Sequence, residues 1–180
     1  MRSPRSSPLS SRAAEPVSGL VRGARMGVDV GSVRVGLASS DPDGLIATPV
    51  ETLARAATPK EPGAISADVA EIAREVAERG AQVVYVGLPR HLKGTEGAAS
   101  AAARDYAATL ARTVAPVEVR MVDERMTSVT AHQALHASGR AGRKHRAVVD
   151  QVAAVVILQS ALDAERASGR RAGEPVELDG

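Results

Sequence analysis

Four carboxylates stand where the sequence changes from apolar to polar at the ends of predicted elements. Asp29 lies between two valines, and an ionised acid in such surroundings needs a cation. Asp123 and Glu124 end a later apolar stretch, and Asp150 lies near the start of the last helical pattern. Two-metal phosphoryl chemistry uses such acids, because shared carboxylates hold two cations about 3.5 to 4 Å apart. Oxygen ligands of this kind favour Mg²⁺ or Mn²⁺.

The adjacent acids at 123 and 124 cannot both face the same side of a regular strand. We favour Glu124 as the ligand because it shares a face with Val122, while Arg125 can pair with Asp123. Asp123 as the ligand stays open, and each acid taken singly could be structural. The predicted catalytic residues are Asp29, Glu124 and Asp150, and the predicted metal ligands are Asp29, Asp123, Glu124 and Asp150.

Basic side chains are predicted to surround these acids and to bind a polyanion. The chain has 20 Arg and 3 Lys, and Arg is the better bidentate partner of phosphate. A GC-rich genome would produce the same Arg excess, and the basic run 140–146 could be an ordinary solvated loop. The predicted nucleic-acid-binding residues are Arg34, Arg90, Lys93, Arg125, Arg140, Arg143, Lys144 and Arg146.

Composition limits the other classes of function. A chain of 180 residues that is 44% hydrophobic is long enough for one domain with a core. The absence of cysteine excludes disulfides and thiolate metal sites. Two Tyr without Phe or Trp argue against base stacking as a binding mode. The longest apolar run, Val152–Leu158, is far shorter than the roughly 20 residues of a membrane span.

The periodicity of apolar residues predicts an α/β fold with a five-stranded mixed sheet. Three antiparallel strands come first, and alternating helices and strands follow, with helices on both faces, an order typical of the ribonuclease H-like fold. The predicted elements are a hairpin within 27–41, a strand at 45–53, a helix from 65 to Gly80, a strand at 83–86, a helix at 98–114, a strand at 117–122, a helix from Thr127 or Ser128 to 137, and a helix from 147 to about 165.

Three regions are expected along the chain. Residues 1–24 are rich in Ser, Arg and Pro, which indicates a disordered extension or, less favoured, an organellar transit peptide. Residues 25–165 form the predicted ribonuclease H-like domain. The polar residues 166–180 are expected to be a disordered tail.

Four segments in this order resemble the YqgF family of proposed pre-16S rRNA nucleases, also called RuvX or Holliday-junction-resolvase-like proteins: GVDVGSVRVGLASSD, VVYVGLPRHLKGTEG, VDERMTS and AVVDQVAAVVILQSAL. The resemblance covers about 25–163. It implies a cytoplasmic, divalent-metal-dependent hydrolase of phosphodiester bonds that helps to mature the 5′ end of pre-16S rRNA. Its acids match Asp29, the motif at 123–125 and Asp150, with Met126 where the family often has Leu.

Three alternatives to this function remain open. The chain could resolve four-way DNA, although junction resolvases carry an acid at the end of the fourth strand and this chain has Gly87 there. We expect the segment Gly87-Leu88-Pro89 to let the backbone approach a phosphate. A non-catalytic RNA-binding assembly factor would keep the basic surface without cleavage. A sugar-kinase or actin-like nucleotide-binding protein shares the fold, but such proteins need two of these domains.

The sequence leaves open whether the protein is a monomer or a homodimer.

Overall fold

The computed structural model describes residues 19–61, 63–91, 95–126 and 143–178, with the backbone only at 126 and 143–150. Six strands and three α-helices lie within these residues, and a short 3-10 helix follows the fifth strand. In chain order they are β1 Arg25–Val30, β2 Arg34–Ser40, β3 Ala47–Ala54, α1 Ala67–Glu78, β4 Val83–Leu88, α2 Ala98–Val114, β5 Glu118–Asp123, the 3-10 helix Glu124–Met126, α3 Arg143–Ser168 and β6 Glu174–Pro175.

The strands form one mixed sheet in the order β3-β2-β1-β4-β5-β6. β1 pairs with β2 and β2 with β3 in antiparallel fashion, whereas β1, β4 and β5 run parallel. This arrangement confirms the predicted ribonuclease H-like α/β fold. Its three parallel strands bring their carboxyl ends to one edge of the sheet.

Helices cover both faces of the sheet, as the sequence predicts. Met26 and Val28 of β1 belong to a core cluster with α1 and α2, while the residues between them face α3. Gly27 allows α3 to lie close to β1, because a Cβ at Gly27 would lie 2.9 Å from the Ala154 carbonyl oxygen and 2.7 Å from Leu158 Cβ.

The contacts of β1 with α3 show that the helix runs antiparallel to the strand. Arg25 at the start of β1 is hydrogen-bonded to Glu165 near the end of α3, with 3.1 Å between Nε and Oε2. Gly27 lies against Ala154 and Leu158, further towards the start of the helix. The N-terminal part of α3 therefore approaches the carboxyl end of β1.

Some element boundaries differ from the prediction. β3 spans Ala47–Ala54 rather than 45–53, and it lies at the edge of the sheet, where Pro49 is tolerated. α3 begins at Arg143 and ends at Ser168, so it extends beyond the predicted helix at both ends. The predicted helix from Thr127 or Ser128 to residue 137 lies outside the described residues.

The end of the chain differs from the disordered tail that the sequence predicts at 166–180. Residues 166–168 continue α3, and β6 pairs antiparallel with β5, which makes the sheet six-stranded rather than five-stranded. The segment is fixed by Arg120, which donates hydrogen bonds to the carbonyl oxygens of Ala172 at 2.6 Å and Gly173 at 2.7 Å. Val176 also packs against the core.

The segment predicted to be a disordered extension, 1–24, is described from residue 19 onwards. Arg22 pairs with Asp43 at 2.5 Å, and the Gly23 amide donates to the Pro42 carbonyl at 2.9 Å. These residues therefore contact the turn between β2 and β3. Residues 1–18 lie outside the described part, so disorder there stays a prediction.

A membrane span requires a long helix with few charged side chains. α3 has 26 residues, but its sequence carries charged residues near both ends. No helix within the described residues is long and apolar enough to cross a membrane.

Candidate active site

Acidic residues gather at the edge of the sheet where β1, β4 and β5 end. Val28 pairs with Val86 and Gly87 with Val122, so Asp29 lies level with Gly87 in the neighbouring strand. Asp123 is the last residue of β5, and Glu124 begins the 3-10 helix that follows it. The parallel strand order thus brings together acids that are almost 100 residues apart in the chain.

Asp29 and Glu124 lie on the face of the sheet that α3 covers. Asp29 follows Gly27 by two residues in β1, and Gly27 faces α3. A Cβ at Gly87 would lie 2.7 Å from Glu124 Oε1 and 2.6 Å from Ile157 Cδ1 of α3. The Glu124 carboxylate therefore lies over the end of β4, where the strand itself has no acid.

The Glu124 carboxyl is in an environment that opposes ionisation. Burial, together with the negative charges of Asp29 and Asp123, raises the pKa of Glu124 to about 7. Both acids are thus near enough to interact electrostatically with Glu124. A site with this excess of negative charge is suited to a cation.

Asp123 lies in a different environment from its neighbour. Arg125 donates to it from the backbone amide at 2.9 Å and from Nη2 at 2.7 Å. The hydrogen bonds from Arg125 lower the pKa of the Asp123 carboxyl below its ordinary value, despite partial burial. The predicted pairing of Arg125 with Asp123 is confirmed.

The position of Asp150 is known from the backbone of α3. Residue 150 lies one helical turn before Ala154, which contacts Gly27 of β1. Since α3 runs antiparallel to β1, this turn is at the end of the helix nearer to Asp29. The side chain of Asp150 lies outside the described part, so its role as a ligand stays a prediction.

Three of the predicted basic residues with described side chains lie near the acids. Arg34 begins β2 beside the turn that follows Asp29, and its carbonyl accepts a 2.9 Å bond from the Gly31 amide. Arg90 Nη1 lies 3.9 Å from Asp123 Oδ2, and Arg125 contacts the same acid. The other predicted basic residues lie outside the described side chains: Lys93, Arg140, Arg143, Lys144 and Arg146.

The Arg90 side chain is held only partly by its neighbours. Its Nη2 pairs with Glu96 at 3.1 Å, while Nε is buried and finds no hydrogen-bond acceptor among the described residues. Glu96 is also bonded to Arg104 at 2.6 Å. Arg90 therefore keeps one buried donor that the described protein atoms leave unused.

Two residues support the site in ways that the sequence analysis did not predict. Arg55 follows β3 and donates to the Gly31 carbonyl at 3.1 Å, which fixes the turn after Asp29. The Arg55 guanidinium also lies 4.4 Å from the centre of the Tyr106 ring. Gly87 lies against Glu124 and Ile157, and the expected approach of the backbone at 87–89 to a phosphate stays a prediction. A glycine inside an apolar strand was the available signal.

Another acidic group lies away from this edge. Carboxylate oxygens of Glu51, Glu71 and Glu75 lie within 4.8 Å of one another. Arg74 and Arg79 already pair with Glu71 and Glu75 of this group, with Arg79 Nε 2.7 Å from Glu75. We therefore do not assign it a metal, since ion pairs account for its geometry.

The strand order and the two helical layers define the class of this protein as a ribonuclease H-like α/β domain. Residues 23–164 match the family described as "RuvX: Holliday junction resolvase". The chain therefore belongs to the RuvX family. It is a nuclease, a hydrolase that acts on ester bonds.

Similar proteins cover most of the chain. It is 53% identical over 158 residues to "Putative pre-16S rRNA nuclease" of Streptomyces coelicolor, which covers 87% of this chain and 90% of that protein. It is 57% identical over 144 residues to the protein of the same name from Kineococcus radiotolerans, covering 80% and 73%. Among solved structures, RuvC of Thermus thermophilus has a TM-score of 0.49 with 18% identity, covering 84% of this chain and 99% of that one.

Proposed function

We propose that this protein is a metal-dependent endonuclease that processes the 5′ end of pre-16S rRNA in the cytoplasm. The observation that carries this proposal is the approach of the Glu124 carboxylate to Asp29 at the carboxyl edge of the sheet. Relatives that are 53% and 57% identical bear the name of a pre-16S rRNA nuclease. The proposed substrate class, pre-16S rRNA, is taken from the names of these relatives. The proposed reaction, metal-dependent hydrolysis, is inferred from the acids.

The donor set fits a divalent metal. Carboxylate oxygens are the ligands that Mg²⁺ and Mn²⁺ prefer, and two like-charged acids close together gain from a cation between them. We assign Asp29, Glu124 and Asp150 as the ligands and catalytic residues. When bound, such ions supply activation of a water nucleophile and stabilisation of the leaving oxygen.

Asp123 is proposed to act beside the metal site. Its bonds to Arg125 fix the first turn after β5, and its charge also acts on Glu124. Asp123 thereby fixes the backbone at Glu124, whose side chain is proposed to face the metal. The metal role for Asp123 that the sequence left open is thus the less favoured one.

The basic residues are proposed to hold the RNA backbone on either side of the acids. Arg34, Arg90 and Arg125 lie at the same edge of the sheet as Asp29 and Glu124. Guanidinium groups bind phosphate oxygens in pairs, which fixes the register of the chain without reading its sequence. Lys93, Arg140, Arg143, Lys144 and Arg146 would extend this surface.

The test is whether the purified protein cleaves either of two substrates in the presence of Mn²⁺ or Mg²⁺. One is an RNA that contains the precursor sequence upstream of the mature 16S 5′ end, and the other is a four-way DNA junction. We expect cleavage of the RNA, no cleavage in EDTA, and none by the Asp29→Asn variant at equal concentration. An Arg74→Ala variant is the matched control, since Arg74 pairs with Glu71 and Glu78 on α1.

The same assay separates the alternatives. The family description favours a second candidate, resolution of four-way DNA, and symmetric cleavage of the junction with intact RNA would support it. RNA binding that is unchanged by Asp29→Asn, without cleavage in any metal, would instead identify a non-catalytic assembly factor.

A further inference from the structure

Gly87 occupies a position in β4 where a larger residue would meet the candidate catalytic acid. A Cβ at this position would lie 2.7 Å from Glu124 Oε1, 3.4 Å from Glu124 Cγ and 2.6 Å from Ile157 Cδ1. Side-chain atoms do not approach a Cβ within 3.0 Å, so both neighbours would have to move. The lack of a side chain at Gly87 is therefore what allows the present position of Glu124.

The two neighbours differ in how easily they move. Ile157 is 3% exposed and packs in the core cluster between α3 and the sheet. Glu124 is only partly buried, so its carboxylate can move towards solvent. A methyl group at Gly87 would thus displace the ends of both side chains, and Glu124 has more room to move because its carboxylate can turn towards solvent.

Gly27 on β1 also faces α3, but a side chain there would meet the backbone of the helix. There the nearest atoms include the Ala154 backbone oxygen at 2.9 Å and Leu158 Cα at 3.4 Å. A side chain at Gly27 would therefore push α3 away as a whole. Gly27 serves the packing of the helix, whereas the atoms near Gly87 are the ends of two side chains.

The displacement at Gly87 is large on the scale of metal coordination. An ordinary contact between a Cβ and a neighbouring atom begins at 3.4 Å, so the Glu124 oxygen would have to move by about 0.7 Å. Metal–ligand distances tolerate only about 0.2 Å. Asp29, level with Gly87 in β1, would remain in place.

We propose that Gly87 is a positioning residue, whose missing Cβ lets the Glu124 carboxylate lie against β4 beside Asp29, where both can hold the same divalent cation. This inference rests on the proposed function, in which Glu124 is a ligand. It adds that the Glu124 carboxylate, which follows β5, requires a glycine in β4. Gly87 is then needed for metal binding, while its cost to the fold when substituted is limited to a shift of the Ile157 side-chain end.

The test compares Mn²⁺ binding and thermal unfolding of the wild type, Gly87→Ala and Gly19→Ala. Gly19 has no atom within 4 Å of a built Cβ and serves as the matched control. We expect Gly87→Ala to weaken Mn²⁺ binding by about 10- to 100-fold in calorimetric titration. Its melting temperature without metal should stay within a few degrees of that of the wild type.

Two double variants identify the group that moves. Ile157→Val removes Cδ1, so it would restore Mn²⁺ binding to Gly87→Ala only if displacement of Ile157 were the cause. Glu124→Asp withdraws the carboxylate from the added methyl, so we expect it to weaken binding less in the Gly87→Ala background than in the wild type. Rescue by Ile157→Val together with no effect of Glu124→Asp would overturn the proposal.

The results also separate this inference from the proposed function. If the wild type binds Mn²⁺ and cleaves RNA while Gly87→Ala has unchanged Mn²⁺ affinity, the positioning role is wrong and the function stands. If the wild type binds Mn²⁺ without cleaving RNA, the affinities still decide the positioning role. A wild type that binds no Mn²⁺ overturns both.

Discussion

Substitution of Glu124 by Gln should stabilise the metal-free protein, and the gain should grow with pH. The pKa of Glu124 is raised from 4.5 to about 7 by burial and by the charges of Asp29 and Asp123. A carboxyl whose pKa is higher in the folded state stabilises the fold below its unfolded pKa, and this contribution is lost as pH rises through 7. Gln resembles the protonated acid and does not ionise.

The size of the effect follows from the shift. A pKa raised from 4.5 to about 7 corresponds to a free-energy difference of at most about 3 kcal/mol, and solvent screening of this partly exposed group reduces it to about 1–2 kcal/mol. For a chain of this length, each kcal/mol changes the melting temperature by about 2–4 °C. We expect Glu124→Gln to melt several degrees above the wild type at pH 8.

The assay is thermal unfolding in EDTA from pH 5 to pH 8. The difference between Glu124→Gln and the wild type should be small at pH 5 and should increase towards pH 8. Asp123→Asn is the matched control with the opposite sign, because hydrogen bonds from Arg125 lower the pKa of Asp123. This control should be less stable than the wild type at neutral pH.

Two results would refute the reasoning. One is a Glu124→Gln variant that is less stable than the wild type at pH 8 in EDTA. The other is a difference in melting temperature that does not change between pH 5 and pH 8. Addition of Mn²⁺ at pH 8 should then raise the melting temperature of the wild type but not that of Glu124→Gln.

Three further predictions follow from the described contacts. Arg90→Ala should weaken RNA binding whatever the RNA sequence and reduce the slope of log affinity against log salt concentration by about 1. Arg74→Ala should leave both the affinity and the slope unchanged. Equal slopes for Arg90→Ala and the wild type would contradict a phosphate contact. Glu165→Ala leaves Arg25 buried without its partner, so urea unfolding should show a loss of about 3–5 kcal/mol, and a loss below 1 kcal/mol would be inconsistent with it. Gly27→Ala should cost about 1–3 kcal/mol in the same assay because it pushes α3 from β1, and an unchanged stability would argue against that contact.

Much of the fold could be predicted from local patterns. Alternating apolar residues predicted the hairpin that carries Asp29, and helical periodicity predicted α1, α2 and most of α3. The meeting of Asp29 with the end of β5 followed from the order of the elements. The pairing of Arg125 with Asp123 followed from alternation along one strand.

The remaining features depend on contacts between residues that are distant in the chain. The polar sequence after Glu165 predicted a tail, but Arg120 holds its carbonyl groups and β5 supplies a strand for it to pair with. The position of Glu124 over Gly87 depends on the 3-10 turn after β5, which no local pattern specified. Neither contact can be predicted from the pattern within a single helix or strand, because each joins residues from different elements.

The most direct test is the single-turnover rate at which the wild type and Asp29→Asn cleave an RNA that spans the precursor 5′ boundary of 16S rRNA in Mn²⁺. We predict site-specific cleavage by the wild type that EDTA abolishes, and no measurable cleavage by Asp29→Asn with its melting temperature and RNA affinity retained. Cleavage by Asp29→Asn at the wild-type rate would contradict the assignment of the acids at this sheet edge.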